Sequence, residues 1–211
     1  MRFKNRTEAG KKLAQALEKY QGQEGIVYAL PRGGVALGVE IAKALQMPLD
    51  LVIPRKIGHP RNPEYAICAV AENGEMVCNE REAARLDPQW LKQQLDKERK
   101  EARRRRERYL GGSEPLSAAG KTAILVDDGI ATGLTMQAAI RDVRHRNPAH
   151  IVVAIPVAPK DTAATLAREV DDVVGLEITD FYRGAVGAYY DDFLQVSDEE
   201  VIELLQLTQS I

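Results

Sequence analysis

The chain is short of several things, and each shortage removes a class of explanation. Only two cysteines, Cys68 and Cys78, occur in 211 residues. That is too few for a disulfide-built scaffold, and neither has metal-ligand partners at suitable spacing. They read as free thiols in a reducing cytoplasm. The three histidines, His59, His145 and His150, are scattered and form no zinc-ligand cluster. No run of 18 apolar residues is present, so no membrane span is read. The opening MRFKNRTEAGKK has no apolar h-region and does not read as a signal peptide. An excess of one charge is also missing. The 29 Lys and Arg against 31 Asp and Glu leave a formal net charge of -2, which predicts no general attraction to nucleic acid.

What is present is an alternation of short apolar strands with helical patterns. Leu13, Ala16, Leu17 and Tyr20 recur at helical spacing over residues 8–20. Apolar strands are read at 26–30, 49–53, 122–126 and 151–156, with a shorter one at Val173-Val174. Helices are read at 35–45, 134–145, 161–169 and 198–207, the last opened by a Ser197/Glu200 capping box. Pro88 opens a long charged helix that ends near Gly111-Gly112. Asn73-Gly74 is tight-turn chemistry between Ile67–Ala71 and Glu75–Cys78. A two-residue turn there would pair Ala69 with Cys78 and leave the thiols on opposite faces, hence unbonded. The pattern is that of an α/β domain with a mainly parallel sheet.

The most specific segment is ILVDDGIATGLT, residues 124–135. An apolar strand delivers Asp127 and Asp128 to its C-terminal end, where adjacent carboxylates suit a polyol. Ala131, Thr132, Gly133, Leu134 and Thr135 then form a loop of small residues that opens a helix. Unpaired amides and the helix dipole there suit a phosphate. Hydroxyls beside a phosphate describe a ribose 5-phosphate. The segment resembles the 5-phosphoribosyl 1-pyrophosphate (PRPP) motif of the type I phosphoribosyltransferases. The resemblance extends over nearly the whole chain, and most closely to bacterial stand-alone phosphoribosyltransferase-domain proteins.

The resemblance implies one domain over 1–211. It would comprise a central, mainly parallel sheet flanked by helices, a flexible loop and hairpin at about 54–80, a helical insertion at about 88–111 and a C-terminal hood at about 175–197. It implies a transfer from PRPP to a nitrogen acceptor, a nucleobase, with Asp127, Asp128, Arg32 and Lys56 as catalytic residues. The amides of 131–135 would hold the 5-phosphate. Arg32, Gly33, Gly34, Arg55 and Lys56 would meet the pyrophosphate, with Arg61 a further candidate, and the peptide within the Arg32 loop is often strained or cis in the family. Phe181 and Tyr182 would stack on the acceptor. Mg²⁺ would be held mainly by PRPP near Asp127 and Asp128, with no direct protein ligand. A homodimer in the cytoplasm completes the expectation, with no membrane partner.

One position departs from the purine enzymes. Some of them carry an Asp where this chain has Ala131, so the obvious proton acceptor is missing. The run RKEARRRRER, residues 99–108, holds seven basic side chains. It reads first as a solvated helix with pairs such as Glu101 with Arg105. It is also the feature that motivates an alternative, a PRPP-sensing regulator that binds nucleic acid. An enzyme acting on a non-nucleobase amine is a third reading.

Overall fold

The computed structural model of the chain describes residues 1–209. In chain order the elements are α1 (Arg6–Ala16), a 3-10 turn (Glu18–Tyr20), β1 (Gly25–Ala29), α2 (Gly34–Leu45), β2 (Leu49–Leu51), β3 (Arg55–His59), β4 (Asn62–Val70), β5 (Met76–Cys78), α3 (Glu80–Ala83), α4 (Pro88–Leu110), β6 (Thr122–Val126), α5 (Leu134–Arg144), β7 (His150–Pro159), α6 (Lys160–Ala167), β8 (Asp172–Thr179), a second 3-10 turn (Val186–Tyr189) and α7 (Asp198–Thr208).

Five strands form one parallel sheet in the order β2-β1-β6-β7-β8. All five residues of β1 and of β6 are buried, which unbroken apolar strands covered on both faces require. Alternate residues serve opposite layers. Val27, Ile124 and Val152 meet Leu13 of α1 and Leu37 and Ile41 of α2. Tyr28, Leu125 and Val153 meet Ala139, Ile140 and Val143 of α5. Each fully buried aliphatic contributes about 1.5–3 kcal/mol. The two layers together hold the C-terminal ends of β1, β2 and β6 at one edge, where open α/β sheets bind ligands.

β8 is longer than its sequence signal. Its half-exposed edge position tolerates Gly175 and Glu177, which interrupt the apolar pattern. The segment at 54–70, expected to open with a flexible loop, forms the antiparallel pair β3–β4. Pro63 lies in the exposed outer end of β4, where a proline does little harm. Gly58 sits at a register shift, and a Cβ there would come within 2.1 Å of the Pro63 carbonyl oxygen.

The expected hairpin register and free thiols are corrected by the next turn. It has three residues, not two: the Ala71 amide donates to the Glu75 carbonyl, the Gly74 amide to the Ala71 carbonyl, and Gly74 takes φ +92°. The extra residue slips the pairing by one, so Cys68 faces Cys78 directly and the two form a disulfide.

α4 is capped by the Asp87 side chain, begins at Pro88 and stops at the left-handed Gly111. Its arginines are not uniformly solvated. Arg106 is buried. Its Nε donates to Glu72 Oε1 at 2.7 Å and its Nη2 to the Leu51 carbonyl at 2.7 Å, and its Nη1 lies 3.6 Å from Asp50 Oδ1. This one side chain ties α4 to β2 and to the β4–β5 turn. The expected Glu101–Arg105 pair is present at 3.3 Å.

Candidate functional site

Asp127 and Asp128 follow β6 at the edge of the sheet. The Asp128 amide donates to Oδ1 of Asp127 at 2.8 Å, which turns the first carboxylate back over the second residue. Desolvation, reinforced by the negative charge of Asp128, holds the Asp127 carboxyl well above the ordinary value of 3.8. Burial also raises Asp128, opposed by the guanidinium of Arg6. Two acids share one nearby cation, so the edge carries uncompensated negative character.

Beyond the acids, the Ile130 amide is taken by the Val157 carbonyl at 2.9 Å, whereas Ala131 and Thr132 are exposed. Among the described residues, the backbone bonds outside helices and strands do not use the amides of 131–133 as donors. The first-turn amides of α5, including Leu134 and Thr135, have no intrahelical acceptor. Gly133 takes φ +83°, which a residue with a Cβ adopts at a cost, and starts the helix. Thr162 braces the loop from α6 through a 2.9 Å hydrogen bond to the Ala131 carbonyl. A row of outward amides at a helix start, beside two carboxylates, can hold a phosphate and an adjacent diol together.

The glycine loop after β1 packs onto the acids. A Cβ on Gly33 would come within 2.0 Å of Asp128 Oδ2, and one on Gly34 within 2.6 Å of the Val126 carbonyl oxygen. The Pro31–Arg32 peptide is cis. Arg32 is half-buried, with Nη1 3.5 Å from Asp198 Oδ1 at the start of α7.

Strand alternation separates the two cations after β2. Arg55 shares its face with Ile57 and Cys68, which pack toward Trp90 and Leu91 of α4, and its Nε donates to Glu98 at 2.8 Å. Lys56 shares the other face with Ala69 and Val77, which pack on Leu134 and Ala138 at the start of α5. Lys56 is thus the one on the face of the 131–135 loop, where it pairs at 3.6 Å with exposed Glu64. Arg61, in the β3–β4 turn, is exposed.

The hood crosses the same edge. Phe181 is 89% exposed. Tyr182 stacks on Tyr189 at 5.7 Å between ring centroids, and burial pushes its hydroxyl up to about 12. That hydroxyl is buried and without a hydrogen-bond partner among the described residues. The two proposed acceptor contacts therefore differ: Phe181 stands out in solvent and Tyr182 lies within the hood.

Two contributors escape a reading of the sequence. Arg6 reaches Asp128 with Nε 2.9 Å from Oδ2, and Tyr190 donates to the Asp128 carbonyl at 2.6 Å. Arg6 lies 122 residues from its partner, and no local pattern marks it. It arrives because residues 3 and 4 run alongside the hood, with the Phe3 amide donating to Tyr189 and the Asp191 and Asp192 amides donating back.

Comparison with known proteins decides what this arrangement belongs to. The profile described as "Phosphoribosyl transferase domain" matches residues 4–192. The chain belongs to this family. A Mycobacterium tuberculosis protein, provisionally named a phosphoribosyl transferase, is 40% identical over 96% of the chain. The match takes up 46% of that protein, so the chain spans about half the length of the curated relatives it matches. A solved structure from Thermus thermophilus is 41% identical, with a TM-score of 0.80 over 97% of this chain and 98% of that one. A protein from Aquifex aeolicus shares the fold at 10% identity and a TM-score of 0.50, covering 80% of this chain and 71% of that one. The family match includes the acid pair, the loop of small residues and most of the hood.

Proposed function

We propose that the chain is a Mg²⁺-dependent phosphoribosyltransferase that transfers the 5-phosphoribosyl group of PRPP to a nitrogen of a nucleobase. The C1–oxygen bond to pyrophosphate breaks, a C1–nitrogen bond forms, and pyrophosphate leaves with the bonding electron pair. The observation that carries this reading is the adjacency of Asp127 and Asp128 to the unclaimed amides of 131–135. In this reading the amides and the Thr132 and Thr135 hydroxyls hold the 5-phosphate. The two acids accept from the ribose hydroxyls and favour positive charge at C1, an effect that grows as water is excluded. Arg32 and Lys56 face the leaving pyrophosphate, while the pairing of Arg55 with Glu98 makes it a supporting residue for α4.

A divalent cation fits the acid pair, because two carboxylates with one guanidinium between them leave charge to compensate. Magnesium brought in by PRPP oxygens would lie beside Asp127 and Asp128 and offset charge on the pyrophosphate. Ala131 provides no base. In this reading either the leaving pyrophosphate and hood groups take the acceptor proton, or the acceptor nitrogen needs no deprotonation.

The alternative, a PRPP-sensing nucleic-acid binder, draws little support from α4. Arg99 donates to the Glu72 and Asn73 carbonyls, Arg104 and Arg105 pair with Glu101, Arg106 is buried, and Arg108 pairs with Glu199. The test is to incubate the protein with PRPP, Mg²⁺ and each nucleobase in turn and to assay pyrophosphate. The expected result is release dependent on one base. PRPP binding without release from any base or amine would refute the transferase reading in favour of a sensor.

A further inference from the structure

Arg6 begins α1, yet its guanidinium is clamped inside the candidate site. Nε lies 2.9 Å from Oδ2 of Asp128, Nη1 donates to the Leu194 carbonyl at 2.7 Å, and the guanidinium carbon sits 4.0 Å from the Phe193 ring centroid. The Arg6 and Asp128 side chains are only 13% and 14% exposed. A planar guanidinium gripped by a carbonyl, a ring and a carboxylate has little freedom, so it orients the carboxylate as well as neutralising it. Asp128 is held from other sides too. Tyr190 binds its carbonyl at 2.6 Å, and Gly33 leaves no room for a Cβ beside Oδ2. The ion pair uses Oδ2, and Oδ1 takes no part in it.

We propose that Arg6 is a positioning residue that sets specificity for ribose over deoxyribose. By fixing Asp128 through a bridge between α1 and the hood, it makes the carboxylate a pre-aimed acceptor for the ribose 2-hydroxyl, the group that 2-deoxyribose lacks. This rests on the phosphoribosyl reading of the site. The physical ground is general. A hydrogen bond to an ionised group discriminates strongly when its acceptor is held in place, because the sugar lacking the hydroxyl leaves that acceptor unpaired. A carboxylate that can turn away finds water and loses the distinction.

The test compares binding of ribose 5-phosphate, 2-deoxyribose 5-phosphate and inorganic pyrophosphate to the full chain by calorimetry with Mg²⁺ present. The wild type is expected to prefer the ribose compound by about tenfold or more. In Arg6→Met that preference should fall to within about threefold, while pyrophosphate affinity stays within about twofold. Arg6→Lys should be intermediate, since it keeps the charge and loses the fork. Phe193→Leu, which loosens the clamp without touching the acid, should narrow the preference by less than Arg6→Met. Undiminished preference in Arg6→Met overturns the inference, and so does parallel weakening of all three ligands, which would mark a merely structural role. If Arg6→Met does not fold, an unchanged preference in Arg6→Lys overturns it. If the wild type binds ribose 5-phosphate and 2-deoxyribose 5-phosphate equally, the inference fails and the transferase reading stands. If it binds no phosphoribosyl compound at all, both fall.

Discussion

The two acids are neighbours in sequence but differ in their surroundings, and their substitutions should separate. Asp127 is desolvated beside another acid, so its proton is held more tightly in the folded chain than in the unfolded one. The resulting loss of stability is absent below the unfolded value of 3.8 and grows as pH rises through the folded value. Asp127→Asn should therefore melt higher than wild type at neutral pH, by roughly 0.5–2 kcal/mol in metal-free buffer. The gain should vanish toward pH 4 while turnover stays lost, and melting curves across that range, with activity alongside, test it. Asp128→Asn should behave differently, because burial raises this carboxyl too but Arg6 opposes the shift, and the substitution strips the buried guanidinium of its ionic partner. The Asp128 carboxylate is paired with Arg6 at 2.9 Å and largely buried. Removing its charge should cost about 1–3 kcal/mol as well as activity. Equal melting of Asp128→Asn and wild type would mean that the pair does not form.

At the scale of elements, the β3–β4–β5 sheet and α4 are joined to the parallel sheet and its helices by apolar packing and by a few polar contacts of high consequence. Arg106 is the clearest of them, since it satisfies Glu72, approaches Asp50 and caps a strand carbonyl at once. Arg106→Met would leave the buried Glu72 carboxylate without its cation and Asp50 with the more distant Arg146 at 4.0 Å. It should cost about 3–5 kcal/mol, or on the order of 10 °C in melting temperature. A loss under about 1 kcal/mol would show that water reaches the cluster. The hairpin register is testable separately. Peptide mapping without reductant should recover a fragment linking Cys68 to Cys78. Recovery of two free thiols would favour the two-residue turn and the opposite-face register.

For the molecule as a whole, the basic run on α4 determines surface behaviour without making the chain basic. Most of its arginines are engaged within the chain, and Arg104 holds Glu101 tightly enough to lower that carboxyl to about 2. Replacing Arg103 and Arg104 with Gln should leave PRPP affinity unchanged within about twofold, because neither lies at the C-terminal edge of the sheet. A filter-binding assay at moderate salt should detect no tight nucleic-acid binding in either protein. Binding that falls steeply with salt and weakens in the variant would favour the regulator.

What the sequence determined by itself was local. Buried parallel strands need unbroken apolar runs, so β1 and β6 were visible as such, and the strand–acid–acid–loop–helix order is contiguous from Ile124 to Thr135. The start of α4 and the cap of α7 were legible for the same reason, since Pro88 and Ser197/Glu200 act within one turn. Other features required the folded chain. The identity of Arg6 as a partner of Asp128 depends on the N-terminal segment lying along the hood. The opposite facing of Arg55 and Lys56 depends on their lying in a strand rather than a loop. The meeting of Cys68 with Cys78 depends on one extra residue in a turn. The physical reason is common to all three. Hydrophobic period and capping chemistry are short-range and are written in adjacent residues, whereas side-chain partnership is settled by register and by which surfaces the packed layers bring together.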